Sequence, residues 1–285
     1  MLEKLLFSTL IMPGELLRIA IALLGTAAAT YFDIFNSRNV PNNLLYAFLA
    51  AAVLTNLVFF NADIFLYAAS LTAILFGFGF LLYRAGQLGG ADLFVVCSIT
   101  LLLPIHPSFL NTPFNYPLIF STLLYSGVAF ALYSVLYFGR LVASSGKPKA
   151  NPVYLLLFIP YLFFAYIFIN APFFSPVYFF IASVLLLSTI FFLVYKKSIN
   201  EAIIEKVKVS SLSGEEDVLA KEKMKKLMEA QDIGPVLGKN EVSKLRKAGV
   251  KEVWIYSRLP PFLPFLLVGL LGAIFLGDWI FLVFY

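Results

Sequence analysis

The chain has 285 residues, of which 61% are apolar and 13% charged, and its mean hydropathy is +0.89. A soluble domain of this length has about a quarter charged residues, so the composition excludes that class and predicts an integral membrane protein. The single cysteine, Cys97, excludes an intramolecular disulfide and a zinc site built from several cysteines.

Eight apolar runs are candidates for helices that cross roughly 30 Å of hydrocarbon. None alternates with a period of two, so helices are expected rather than the strands of a barrel. The runs occupy residues 15–34, 43–60, 63–83, 92–106, 117–138, 153–170, 175–195 and 261–284. The predicted fold is an all-α polytopic membrane protein. The runs at 153–170 and 175–195 are separated by only five residues, which leaves a broken or re-entrant pair as an alternative.

The basic residues predict how the helices are oriented. Of the 21 lysines and arginines, 19 fall in the segments that follow the first, third, fifth and seventh runs, and none falls after the second, fourth or sixth. Loops rich in lysine and arginine face the cytoplasm. The odd-numbered loops are therefore expected in the cytoplasm, with both termini outside the cell membrane.

The same pattern divides the chain into three parts. Residues 1–195 are predicted to form a membrane domain, 196–258 a small basic cytoplasmic domain, and 259–285 a last transmembrane helix. In the small domain a helix is expected to begin at Glu215, and residues 250–256 read as a strand. Its lysines are either the ordinary signature of a cytoplasmic loop or a surface for anionic lipid. No nucleic-acid motif is present.

Asp33 lies where the first apolar run ends. A carboxylate at membrane depth is costly unless something compensates it, so it is a candidate functional residue by default. The alternative is an interfacial aspartate that pairs with Arg38 outside the hydrocarbon.

Asp92 opens the fourth run, directly after Gly89, Gly90 and Ala91. Taken alone it is explained by helix capping, because an aspartate at a helix start accepts hydrogen bonds from first-turn amides. The glycines add something that a cap does not need, since glycine lets another backbone approach closely. Both aspartates are predicted at the cytoplasmic ends of their helices, so they can meet if the first and fourth helices are neighbours.

The remaining ionisable candidates are weaker. Asp63 and Asp278 lie at the outer ends of the third and last runs, and Asp63 reads as a cap. His106 lies between two prolines with no histidine or cysteine nearby, so no metal and no cofactor is expected. Glu201 and Glu205 are minor candidates for contact with a basic substrate.

These residues together resemble the type IV prepilin peptidases, and more narrowly the archaeal preflagellin and prepilin peptidases. The resemblance rests on Asp33, on Arg38 with Pro41 and Asn42, on the Gly-x-small-Asp motif at Gly89–Asp92, and on the stretch 244–255 before the last run. Ala91 stands where strict members have the second glycine of Gly-x-Gly-Asp, and Arg38 and Pro41 lie about one residue further from Asp33 than the family pattern. The runs at 153–195 look additional to a six-helix core.

The resemblance implies a membrane aspartyl endopeptidase with Asp33 and Asp92 as the catalytic pair. Family members remove the short basic leader of pilin-like or archaellin precursors at the cytoplasmic face, so such a precursor is the expected partner within the lipid bilayer. Bacterial relatives that also methylate the product have a cysteine-rich zinc insertion, which one cysteine makes unexpected here. Two other functions stay open: a transporter with an aspartate proton relay, and an inactive assembly scaffold. The oligomeric state is not predicted.

Overall fold

Within the residues that the structure describes, eight apolar helices lie where the sequence places the eight apolar runs. The computed structural model describes residues 12–36, 39–110, 116–144, 148–172, 174–212, 215–231, 233–257 and 259–277. The apolar helices are α1 (Glu15–Phe35), α2 (Asn42–Val58), α3 (Ala62–Arg84), α4 (Gly90–Leu102), α5 (Leu118–Ser144), α6 (Phe158–Ile169), α7 (Pro176–Ile203) and α10 (Leu263–Phe275). Two polar helices, α8 (Lys221–Gln231) and α9 (Lys239–Lys247), lie between α7 and α10.

Five of the apolar segments are long enough to cross a membrane. They are α1, α3, α5, α7 and the 18-residue segment Pro152–Ile169, in which a 3₁₀ turn runs into α6. Helices α2, α4 and α10 are shorter, at 17, 13 and 13 residues. The structure is mostly helical rather than all-α, and five of its helices are long and apolar enough to cross a membrane. The count of eight spans stays a prediction.

Helix α4 lies at the centre of the bundle. It contacts α1, α2 and α3, and Val95, Ile99 and Leu102 along it have no exposed surface. Helix α10 packs against α5 and α1 on another side of the same buried cluster. Such continuous burial is typical of a helix surrounded by others, whereas the many exposed apolar side chains on α3 suit a surface that faces lipid.

The helix pair α6–α7 lies at the edge of the bundle. No residue of α6 is buried, and α6 contacts α7, which in turn packs on α5. The expectation that the pair is an addition to a core of six helices stays a prediction.

The end of α4 inside the bundle is stabilised by two polar side chains. At 1.5 Å per residue, its 13 residues span about 20 Å, which is less than the hydrocarbon thickness. The carbonyl groups of its last turn therefore need partners from elsewhere. The buried Arg18 guanidinium donates to the Leu102 carbonyl at 3.2 Å and to Asn56 Oδ1 at 2.9 Å, and Asn56 Nδ2 donates to the Leu101 carbonyl at 2.8 Å.

The polar stretch between α7 and α10 contains two small antiparallel sheets around an apolar core of its own. Strand β1 (Ile204–Lys208) pairs with β4 (Glu252–Tyr256), and β2 (Glu215–Val218) pairs with β3 (Val236–Gly238). The core includes Leu219, Leu237, Leu245 and Val253, none of which has exposed surface. On the exposed face of the first sheet, the Lys206 ammonium pairs with Glu252 and holds the pKa of that carboxyl below its usual range.

One local prediction in this stretch is wrong. Glu215 begins strand β2, and the helix expected from that residue begins at Lys221 instead. The pairing of Asp217 with Leu237 and of Val218 with Val236 explains the difference, because tertiary strand pairing overrides a weak local helix signal. Strand β4 confirms the strand expected within residues 250–256.

The contact between α10 and α5 generates a stability prediction. A methyl group on Gly269 of α10 would overlap the Thr122 carbonyl oxygen and the Ser126 hydroxyl of α5, and would lie 2.8 Å from the Ser126 amide nitrogen. We expect Gly269→Ala to lower the free energy of unfolding by about 1–3 kcal/mol through overpacking. Thermal unfolding in detergent measures this.

Gly127→Ala is the matched control for Gly269→Ala. Gly127 is also in an apolar helix, but a methyl group there would meet no atom within 4 Å. This change should raise stability by up to about 1 kcal/mol through helix propensity. Equal effects of the two substitutions would show that α10 and α5 do not approach as closely as described.

Candidate active site at the ends of helices α1 and α4

Asp33 is buried in the last turn of α1 and binds the first residue of α10. Its Oδ2 accepts a hydrogen bond of 3.1 Å from the Leu263 amide, and its side chain is 7% exposed. One turn earlier on the same face, the Thr30 hydroxyl donates to the Leu263 carbonyl at 3.1 Å. Two side chains of α1 therefore hold both polar groups of Leu263.

The sequence of α10 explains why Leu263 needs a partner outside its own helix. The first amides of any helix have no acceptor in the preceding turn. Here Pro264 has no N–H, and the Phe265 and Leu266 amides donate to the Phe262 carbonyl. The Leu263 amide is left for an outside acceptor, and an anionic group is favoured at a helix N-terminus. Asp33 thus acts as a cap for a helix 230 residues away in sequence.

Asp92 lies in the first turn of α4, as predicted, and is half-buried. Its Oδ2 accepts a hydrogen bond of 3.3 Å from the Gly89 amide. A Cβ atom on residue 89 would lie 2.9 Å from that oxygen, so glycine here makes room for the carboxylate to fold back over the start of its helix. This is a local reason for Gly89, in addition to the substrate approach expected from the sequence.

The structure makes α1 and α4 antiparallel neighbours. They are in contact along the bundle, and Arg18 in the first turn of α1 reaches the carbonyl of Leu102 at the end of α4. At 1.5 Å per residue, Asp33 lies about 22 Å beyond Arg18, and Asp92 about 15 Å before Leu102. Both carboxylates therefore lie toward the same end of the helix pair, at depths that differ by roughly one to two turns.

The other residues of the predicted motif flank this end of the bundle. Pro41 precedes α2, and its carbonyl accepts from the Leu44 and Leu45 amides at 2.9 and 3.3 Å. Asn42 is the first residue of α2 and is exposed, while Gly90 begins α4 and Ala91 packs against the main apolar cluster. Arg38 lies outside the described residues.

The weaker candidates lie elsewhere. Asp63 is exposed in the first turn of α3, whose N-cap is Asn61, and Asp278 lies outside the described residues. Buried His106 contacts the Tyr116 carbonyl at 3.0 Å and Ser121 Oγ at 3.2 Å. Exposed Glu201 pairs with Lys149 at 2.8 Å, and exposed Glu205 lies in β1. Within the described ranges no three histidine, cysteine or acidic side chains come together as a metal site would require.

Sequence reasoning missed three residues that organise the bundle. Thr30 has a detectable signal, because a hydroxyl one turn before Asp33 shares its helix face. Leu263 has none, since its backbone rather than its side chain forms the contact. Arg18 reads from the sequence as a residue near the terminus, whereas the structure places it among the most buried side chains.

The small domain touches the segment that leads to Asp92. A methyl group on Gly86 would lie 3.4 Å from Val218 Cγ1 and 3.5 Å from Pro235 Cβ, so the backbone of Gly86 lies directly against the domain. Gly86 has φ of +72°, a conformation that favours glycine. At the other end of the domain, β4 is followed within seven residues by Leu263, the partner of Asp33.

The chain is similar in sequence to prepilin peptidase EppA of Methanothermobacter thermautotrophicus. The two are 31% identical over 151 residues, an alignment that covers 48% of this chain and 39% of that protein. The chain therefore spans about two fifths of the length of this curated relative. No family model matches the chain, and no solved structure matches it. The similarity supports the resemblance to prepilin peptidases.

The cap formed by Asp33 can be tested apart from any activity. We expect Asp33→Leu to lower the free energy of unfolding by about 1–3 kcal/mol, because the buried Leu263 amide loses its acceptor. Asp33→Asn should lose much less, because its amide oxygen still accepts. Unfolding in detergent by denaturant or heat measures both, and equal losses for the two variants would contradict the cap.

Proposed function

We propose that this chain is a membrane aspartyl endopeptidase that removes the short basic leader from pilin-like or archaellin precursors. The observation that carries the proposal is that Asp33 and Asp92 lie toward one end of two contacting antiparallel helices, in a chain that is 31% identical over 151 residues to a prepilin peptidase. The reaction would take place at the cytoplasmic face, to which the basic residues assign this end of the bundle.

The chemistry needs the two carboxylates in different protonation states. Two carboxylates that share a site do not both ionise readily, so one keeps a proton while the other is charged. The charged group takes a proton from the attacking water while the protonated group donates its proton to the carbonyl oxygen. The first group then gives its proton to the departing amine, and the second takes one back from a hydroxyl of the tetrahedral intermediate. The protons belong to the pair rather than to either residue. The difference in depth between Asp33 and Asp92 requires the two carboxylates to come closer together when substrate binds.

The surroundings of the pair suit a basic, extended substrate. Two carboxylates at the same end of the bundle attract a positively charged leader. Gly89 is exposed and its backbone is extended, with φ of −73° and ψ of 147°, so a peptide can approach the start of α4 closely. The hydrophobic segment that follows the leader would lie in the bilayer beside the apolar helices.

The positions of the buried charged side chains argue against the transporter alternative. Among the described residues the buried charged side chains are Arg18 and Asp33, which lie near opposite ends of α1. Arg18 is occupied by the Pro13 and Leu102 carbonyls and by Asn56. A proton relay needs ionisable groups in series near the midplane, and these two are about 22 Å apart along the helix.

The decisive experiment is cleavage of a co-expressed pilin-type precursor in membranes. Wild type should shorten the precursor, and Asp33→Asn and Asp92→Asn should each lower the rate about 100-fold or more, as expected for loss of a catalytic acid or base. Asparagine is the right replacement because its side-chain oxygen can still accept from Leu263 or Gly89. A loss of cleavage then reports chemistry rather than a lost cap.

Asp63→Asn is the control for charge removal at a helix start, and it should cleave like wild type. Protein amount and membrane insertion are measured for every variant. Normal cleavage by both Asp33→Asn and Asp92→Asn would refute the aspartyl mechanism. If wild type leaves both pilin-type and archaellin-type precursors intact, the inactive scaffold becomes the better interpretation.

A further inference from the structure

Thr30, Leu263 and Asp33 form a three-residue clasp between α1 and α10. The Thr30 hydroxyl donates to the Leu263 carbonyl, and the Leu263 amide donates to Asp33 Oδ2, each at 3.1 Å. All three residues are buried, with exposed fractions of 8%, 1% and 7%. Burial lowers the effective dielectric constant around these groups, so hydrogen bonds between them are electrostatically stronger than hydrogen bonds in bulk water.

Leu263 is held firmly in place by the packing of α10, so its amide can orient the side chain of Asp33. It begins α10, where Leu266, Leu270 and Ala273 have no exposed surface and Gly269 lies against the backbone of α5. Packing of this density resists small displacements. A carboxylate bonded to the Leu263 amide is therefore held in one rotamer by the bundle, not by its own helix alone.

The role of Thr30 in the clasp differs from that of Asp33. Asp33 accepts from the Leu263 amide, which belongs to the peptide group between Phe262 and Leu263. The bond from Thr30 to the carbonyl of the same residue holds the other side of Leu263. Two bonds from one face of α1 thus set both the position and the direction of the N–H group that holds Asp33.

We propose that Thr30 is a positioning residue that sets the orientation of the Asp33 carboxylate for peptide cleavage. This inference rests on the proposed function. Reacting groups that are displaced by about 1 Å can lose about 100-fold in rate, so a hydroxyl that never touches the substrate can still control the chemical step. The effect should appear in kcat rather than in KM, since the Thr30 hydroxyl is bonded to the Leu263 carbonyl and not to the substrate.

The test compares Thr30→Val with Thr30→Ser in precursor cleavage. Valine has the shape of threonine without the hydroxyl donor, and we expect kcat to fall about 10- to 100-fold with KM changed less than about threefold. Serine keeps the donor and should retain most of the activity. Unchanged kcat in Thr30→Val, or an equal loss in Thr30→Ser, would overturn the inference.

Thr55→Val is the matched control. Thr55 is buried to a similar degree, at 6% exposed, but its hydroxyl donates at 2.7 Å to the Ala51 carbonyl within its own helix. Its removal should leave kcat within about twofold of wild type, because it holds no group at the site. A loss as large as that of Thr30→Val would show that any buried hydroxyl matters, and would overturn the positioning role.

Amide hydrogen exchange links the kinetic loss to the clasp. The segment 259–265 contains three prolines, so its amides are those of Leu259, Phe262, Leu263 and Phe265, and the Leu263 signal can be resolved. Exchange at Leu263 should be at least about tenfold faster in Thr30→Val than in wild type or Thr30→Ser, because the clasp protects it. Unchanged exchange would overturn the clasp as the cause.

The outcomes separate this inference from the proposed function. An inactive Asp33→Asn together with a fully active Thr30→Val would refute the positioning role and leave the peptidase standing. A fully active Asp33→Asn would refute Asp33 as a catalytic group, and a wild type that cleaves no precursor would refute the peptidase; either result overturns the positioning role as well.

Discussion

The hydrogen bond between the Leu263 amide and Asp33 joins the end of the first described helix to the start of the last one. A buried amide without an acceptor is costly, so the fold itself requires an acceptor at position 33, whatever chemistry follows. The chain between these two residues, which includes the small domain, begins and ends at the same place in the bundle. This contact and the packing of α10 on α1 and α5 hold its two ends together. Any catalytic use of Asp33 therefore relies on a group that the fold already holds in place.

The same physical constraint, that buried backbone groups need partners, determines the opposite end of the bundle. Helix α4 ends at Leu102, and its last carbonyls bind Arg18 and Asn56. A buried arginine is acceptable here because its donors are matched to neutral acceptors that would otherwise be unpaired. This allows a 13-residue helix to lie in the centre of the bundle. A short α4 in turn places Asp92 well inside the end where Asp33 lies.

The sequence predicts those features that depend on composition along the chain. Long apolar runs locate the helices, and the position of Asp92 beside glycine predicts its place at a helix start. Features that depend on contacts between distant residues are not predictable in this way. The contact of Leu263 is made by its backbone, which every residue has, so its side chain gives no signal. Arg18 is charged and is therefore expected on the surface, yet it is buried. At Glu215 the local sequence favours a helix, but pairing with β3 makes this residue the start of a strand. The two aspartates can meet only if α1 and α4 are neighbours, and in the structure these helices are in contact.

The two aspartates differ in how firmly they are held, and this difference has a consequence for any joint action. Asp33 is buried and bonded to another helix, whereas Asp92 is half-buried and bonded to Gly89 at the start of its own helix. Movement of the partly exposed segment before α4, residues 85–89, costs fewer buried contacts than movement of Asp33 away from α10. That segment includes Gly86, which lies against Val218 and Pro235 of the small domain. A catalytic pair in this fold would therefore be completed by Asp92 moving toward a fixed Asp33. Because the small domain contacts the segment before Asp92, a shift of that domain would change the position of Asp92.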